Sequence, residues 1–107
     1  MGMRSVSDCL SYVSRFVLIE GRKKLERHLT ELPHLADALV VAIDELRRRL
    51  DGEPIVVSLY HDREIRDEYI LVRVSSFGDV SVEKKLYEVE DILIEMLKGK
   101  DGWIQLA

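Results

Sequence analysis

The side chains best suited to chemistry lie in one short segment near the middle of the chain. Residues 61–68 read His-Asp-Arg-Glu-Ile-Arg-Asp-Glu, and their carboxylates are Asp62, Glu64, Asp67 and Glu68. Carboxylate oxygens are the ligands that Mg²⁺ and Ca²⁺ prefer. The spacing lacks the pattern of an EF-hand loop, however, and Arg63 and Arg66 compete for the same carboxylates. We therefore interpret the segment as the solvated arm of a β-hairpin, with Asp62 and Asp67 as its candidate catalytic residues.

A second group of candidates follows a turn at residues 76–79. Glu83-Lys84-Lys85 resembles the Glu-x-Lys half of a metal-dependent nuclease site, with Asp79 as its partner carboxylate. Such sites need carboxylates that converge from adjacent strands, whereas the spacing here predicts the start of a helix. There, Asp79 is expected to act as a cap, and Glu83 to interact favourably with the helix dipole. A small metal-dependent hydrolase or nuclease that uses Asp79 and Glu83, or the hairpin acids, is our alternative function.

Other motifs for catalysis or cofactor binding are weak. His61 beside Asp62 could form a base and its orienting group, but no nucleophile stands nearby in sequence. His28 and His34 are expected at the surface. The chain contains neither a P-loop nor a Gly-x-Gly-x-x-Gly pattern, and Cys9, its single cysteine, cannot form an internal disulfide. We therefore expect no cofactor and no bound metal.

Positive charge is divided along the chain. The net charge is −4, and residues 51–107 hold seven Lys or Arg against thirteen Asp or Glu. In the first half, basic residues cluster at 22–27 and 47–49, which lie at opposite ends of a predicted pair of helices. Nucleic-acid binders usually concentrate positive charge on one surface. Nucleic acid is therefore an unlikely partner, and the clusters are interpreted as solvated helix faces.

Length and composition indicate one folded unit. The 107 residues are 47% hydrophobic and 34% charged, which is typical of a globular domain, and we expect residues 1–107 to form a single α+β domain. No apolar run approaches the ~20 residues of a membrane helix. The first five residues lack the layout of a signal peptide, and a lone cysteine fits a reducing compartment, so a cytoplasmic location is expected.

Hydrophobic periodicity predicts the elements. Apolar residues at helical spacing run from residue 6 to residue 32, from 35 to 50 and from 86 to 97. Residues 16–19 fit either a helical turn or a short strand, and we favour a helix carried through, or kinked near, Gly21. Strands are predicted at 55–60, 69–75 and 102–107 from β-branched and aromatic content.

The predicted order is two N-terminal helices followed by a β-β-α-β unit, with a small three-stranded sheet covered by helices on one face. We favour an antiparallel sheet in which the last strand lies beside the first strand of the hairpin. A mixed sheet, in which it lies beside the second, is the alternative.

Three short strands leave two sheet edges unpaired, and proteins usually pair or cover such edges. The sequence therefore predicts a non-catalytic protein–protein interaction module that forms a homodimer through a sheet edge or an apolar helix face, and no membrane partner.

Overall fold

The computed structural model describes residues 5–64, 67–76 and 78–107. These residues form α1 (Val6–Val13), β1 (Leu18–Ile19), α2 (Arg22–Glu31), α3 (His34–Arg49), β2 (Ile55–Asp62), β3 (Asp67–Val74), α4 (Val80–Leu97) and β4 (Ile104–Leu106). The α+β class is confirmed, although the described part of the chain has one helix and one strand more than predicted. Parts of the predicted hairpin arm (Arg66) and of the turn at 76–79 (Phe77) lie outside the described residues.

The first helix is shorter than its apolar spacing indicated. The Ser5 side chain caps α1 by accepting a 3.1 Å hydrogen bond from the backbone N–H of Asp8, and the helix ends at Val13. The chain then turns into β1, and Gly21 precedes α2 with a φ of 66°. A helix carried through Gly21 is therefore wrong, because a left-handed residue cannot continue a right-handed helix. Residues 16–19 were predicted to be either a helical turn or a strand, and the strand is correct for the last two of them, Leu18 and Ile19.

α3 begins and ends where the sequence predicted. Pro33 lies just before its first turn, where the missing N–H does no harm, and Gly52, with a φ of 75°, follows its end. Two polar contacts fix α3 to its neighbours. The Tyr12 hydroxyl of α1 donates a 2.9 Å hydrogen bond to Asp44, and Arg49 lies 3.2 Å from Glu88 of α4.

The sheet has the order β1-β2-β3-β4. β2 and β3 form the predicted antiparallel hairpin, whereas β1 pairs with β2, and β4 with β3, in parallel. The favoured antiparallel order is therefore wrong, and the mixed alternative is correct. The reason is that β1 occupies the side of β2 on which the last strand was expected, so the β3-α4-β4 unit places β4 beside β3.

Helices cover one face of this sheet, as predicted. Side chains alternate along each strand, and the buried set on the covered face is Ile55, Val57, Ile70, Val72, Val74, Ile104 and Leu106. α2 packs on β2, while α3 and α4 contact β4 and each other. Within the described residues, no helix combines the length and the apolar character needed to cross a membrane.

Candidate protein-interaction surface

β4 is an edge strand whose outer side pairs with no other described strand. Its inner side is bonded to β3: Ile70 N–H donates to the Trp103 carbonyl (3.3 Å), and Ala107 N–H donates to the Val72 carbonyl (2.9 Å). Backbone groups alternate in direction along a parallel ladder. The N–H and C=O groups of Ile104 and Leu106 therefore point away from β3 and can accept another strand.

A groove runs between this edge and one side of α4. The helix contributes a stripe at steps of four and three residues, formed by Glu83, Tyr87, Glu90, Ile94 and Lys98. Tyr87 and Ile94 are each 63% exposed, although both are large and hydrophobic. The groove contains two cavities, of about 540 Å³ towards the end of α4 and about 180 Å³ towards its start. Apolar surface is thus exposed directly beside backbone groups that point away from the sheet.

The centre of β4 and the centre of the α4 stripe lie beside each other, at the middle of the groove. Glu90 and Gln105 are the two residues that line both cavities. Glu90 lies at the centre of the stripe between Glu83 and Lys98, and Gln105 lies at the centre of β4. The strand edge and the helix stripe are therefore aligned about one position.

The charge at this centre is poorly solvated. Partial burial raises the pKa of the Glu90 carboxyl above its ordinary value, and the neighbouring carboxylate of Asp91 adds to this effect. Loss of water favours the neutral form of an acid. The groove thus has a carboxyl group at its midpoint that releases its proton less readily than a surface glutamate.

The open face of the sheet carries a row of aromatic side chains. Tyr60 and Tyr69 lie opposite each other with ring centroids 5.2 Å apart, and Trp103 stacks on Tyr69 at 4.9 Å. Tyr60 is 46% exposed. These rings stabilise the hairpin against β4, and they hold the beginning of the edge strand in place.

The predicted acidic residues of the hairpin face each other at its tip. Asp62 and Asp67 are paired in register at the ends of β2 and β3. Each carboxylate accepts a 2.9 Å hydrogen bond from a nearby backbone N–H, Asp62 from Glu64 and Asp67 from Glu68. Both side chains therefore bond to the backbone beside the ends of their own strands.

The other two candidates lie beyond the opposite end of β3. Asp79 caps α4, and Glu83 occupies the first turn of that helix. The length of β3, about 23 Å from first to last residue at ~3.3 Å per residue, separates this pair from the hairpin tip. In the described ranges no group of three or more His, Cys, Asp or Glu side chains is placed to hold a metal ion.

Two features of the structure, the groove stripe and the burial of His28, were not predicted from the sequence. The sequence signal for the groove stripe was a second set of residues at helical spacing on α4, beside the core stripe of Leu86, Val89 and Leu93. His28, expected at the surface, is instead 8% exposed. The leucines that flank it, Leu25 and Leu29, were the available signal, because a residue between two core positions of a helix faces inwards.

Compared with models of protein families, with curated proteins and with solved structures, the chain shows no significant match.

Proposed function

We propose that this domain is a non-catalytic interaction module that forms a homodimer through the β4 edge and the α4 groove. The observation that carries the proposal is the alignment of a free strand edge with an exposed apolar stripe about one point, Glu90 beside Gln105. A two-fold axis at that point would match both surfaces at once. The hydrolase alternative has less support, because its four carboxylates lie at two distant places.

On the strand, the axis would pair β4 antiparallel with the β4 of a second copy. With Gln105 opposite its own copy, Ile104 faces Leu106 of the other chain. Each such pair can exchange two backbone hydrogen bonds, and the two sheets would become one continuous sheet. The Gln105 amide now donates to the Leu106 carbonyl at 3.2 Å, so the dimer would replace that bond by one from the backbone.

On the helix, the same axis would bring the two stripes together in antiparallel register. Tyr87 then meets Ile94 of the other copy, and Glu83 meets Lys98, so apolar and oppositely charged groups are matched. Because β4 has only three residues, its few hydrogen bonds need this additional contact to make a stable dimer. The self-complementary order of the stripe supports a second copy of the chain as the occupant of the groove.

Charge reversal tests this register. Glu83→Lys or Lys98→Glu alone would place like charges opposite each other twice per dimer, and we expect each to weaken dimerisation about tenfold. The double variant restores opposite charges across the axis and should recover the wild-type dissociation constant. Within one chain the two positions are about 22 Å apart along the helix, so an intramolecular contact cannot explain the recovery. Analytical ultracentrifugation measures all four proteins.

Ile94→Asp tests the apolar contact and should yield monomers. Val80→Asp is the matched control, because Val80 is an exposed apolar residue of the same helix, 83% exposed, that does not line the groove. It should leave the dimer intact. A wild-type monomer mass that persists to about 100 µM in light scattering would refute the proposed function.

A further inference from the structure

A third cavity lies on the β2 side of the sheet, away from β4, between α2 and the outer end of the β2–β3 hairpin. α2 supplies Lys24, Arg27, His28 and Glu31, which lie on one face of the helix at steps of three and four residues. The facing wall consists of Leu59, His61, Arg63 and Glu68. The cavity, here called the α2 cleft, has a volume of about 420 Å³, within the range of small-molecule sites.

Three cations converge on the α2 cleft from its two walls. Among the described residues, Lys24, Arg27 and Arg63 form no ion pair. Three other arginines do have carboxylate partners: Arg48 and Arg49 pair with Glu45, and Arg73 pairs with Glu20 at 2.9 Å. Within the described residues, three cations without an ion-pair partner thus line one cavity, although the chain as a whole has a net charge of −4.

A buried imidazole forms part of the same wall. His28 is 8% exposed, and its Nε2 atom is closed off from solvent without a hydrogen-bond partner among the described residues. Leaving a buried polar group unpaired is unfavourable, and native proteins rarely do so without a reason. Since His28 lines the cleft, an oxygen atom of a bound ligand, reached by a small shift of the ring, would supply the missing partner.

From this placement the geometry points to a binding site for a phosphate monoester of a small hydroxyl-bearing molecule. Guanidinium and ammonium groups from two walls can donate to the several oxygens of a tetrahedral dianion. Glu31 and Glu68 lie in the same cleft, so a second anionic group is disfavoured, while ligand hydroxyls find acceptors there. The His61 ring, 3.9 Å from Glu68, adds a further nitrogen.

The site is tested by NMR titration of the ¹⁵N-labelled full chain with three probes: inorganic phosphate, a hexose monophosphate and the parent hexose. We expect the hexose monophosphate to shift backbone signals of α2 and of the outer part of β2, phosphate to shift the same signals with lower affinity, and the hexose to shift none. Shifts confined to other regions, or none at ~10 mM hexose monophosphate, well above the dissociation constant of even a weak ligand, overturn the site.

Two exposed lysines on α2 provide the matched variants. Lys24→Ala removes a cation of the cleft and should weaken hexose monophosphate binding by about tenfold. Lys23→Ala removes the same charge from the neighbouring position outside the cleft, and affinity should stay within about twofold of wild type. Equal losses in both proteins would mean non-specific attraction and overturn the site. The dimer of wild type and of both variants is measured alongside, which separates this result from the proposed function.

Discussion

Asp79 shows how a single side chain sets the boundary of an element. Its carboxylate accepts hydrogen bonds from the backbone N–H (2.9 Å) and the hydroxyl (2.7 Å) of Ser81 at the start of α4. These bonds, led by that from the Ser81 side chain, lower the pKa of the Asp79 carboxyl. Since the folded pKa is depressed, the ionised cap stabilises the protein above the unfolded pKa, and this contribution is lost as pH falls through the folded pKa.

Removing this cap should therefore have a pH-dependent effect. We expect Asp79→Ala to lower the melting temperature by a few degrees at pH 7. Asp79→Asn keeps a capping oxygen without a charge, so it should lie between wild type and the alanine variant at pH 7. The advantage of wild type over Asp79→Asn should be smaller at about pH 3 than at pH 7, because pH 3 lies below the unfolded pKa and the contribution is then being lost as pH approaches the depressed folded pKa. Calorimetry at both values checks this, and a difference between these two proteins that is independent of pH would contradict it.

Residues of this kind were predictable because a cap depends on its own neighbours in sequence. Asp79 was identified as a cap from its residue type and its position before an apolar stripe. The burial of His28 was not, because it depends on how α2 packs against β2. The groove was missed for the same reason: the sequence shows the spacing of Tyr87 and Ile94, but not that β4 lies beside them.

At the scale of elements, helix type was easier to predict than strand pairing. α3 and α4 follow long apolar periods, whereas β1 has two residues and forms only because β2 offers it an edge. That one short strand changed the order of the whole sheet. A strand of this length carries no periodic signal of its own, so its position comes from tertiary contacts.

The connection between α4 and β4 depends on a close approach of the backbone to the core. Gly99 and Gly102 both have left-handed φ values, 76° and 83°. A Cβ at Gly102 would lie 2.8 Å from Cδ1 of Leu35 and 3.0 Å from Cδ1 of Leu32, whereas one at Gly99 would meet no atom within 4 Å. Both positions therefore favour glycine because of their backbone conformation. Only Gly102 also leaves no space for a Cβ atom.

This difference predicts unequal costs of the same substitution. Gly99→Ala should destabilise the fold by about 1 kcal/mol, the conformational cost of a left-handed alanine. Gly102→Ala adds overpacking against two leucines and should cost about 2–4 kcal/mol. Urea denaturation, read from the midpoints at constant slope, measures both. Equal losses would show that Leu32 and Leu35 move aside freely, and that the turn does not depend on close packing there.

At the scale of the whole molecule, the proposed dimer would join two four-stranded sheets, with the helices of both copies on one side. The two Glu90 carboxyls would then lie near the axis, in a groove that already holds Glu95 and Lys98 and is closed at its far end by Glu83. Like charges brought together raise each other's pKa. The dimer would therefore bind protons more tightly than two separate monomers.

Dimerisation should consequently respond to pH through Glu90. The pKa of Glu90 is already raised in the monomer and would rise further on association. The dimer should therefore become more stable as pH falls through the raised pKa of Glu90. We expect the dissociation constant to be severalfold lower at pH 5 than at pH 7.5, because the neutral form of Glu90 is favoured more in the dimer than in the monomer. Glu90→Gln removes the charge and should give tight dimers at both values.

Asp8→Asn, which removes one negative charge from α1, outside the groove, should keep the wild-type pH response. Analytical ultracentrifugation at the two pH values compares the three proteins. If wild type and Glu90→Gln dimerise equally well at both, Glu90 does not lie near the axis, and the α4 register is wrong.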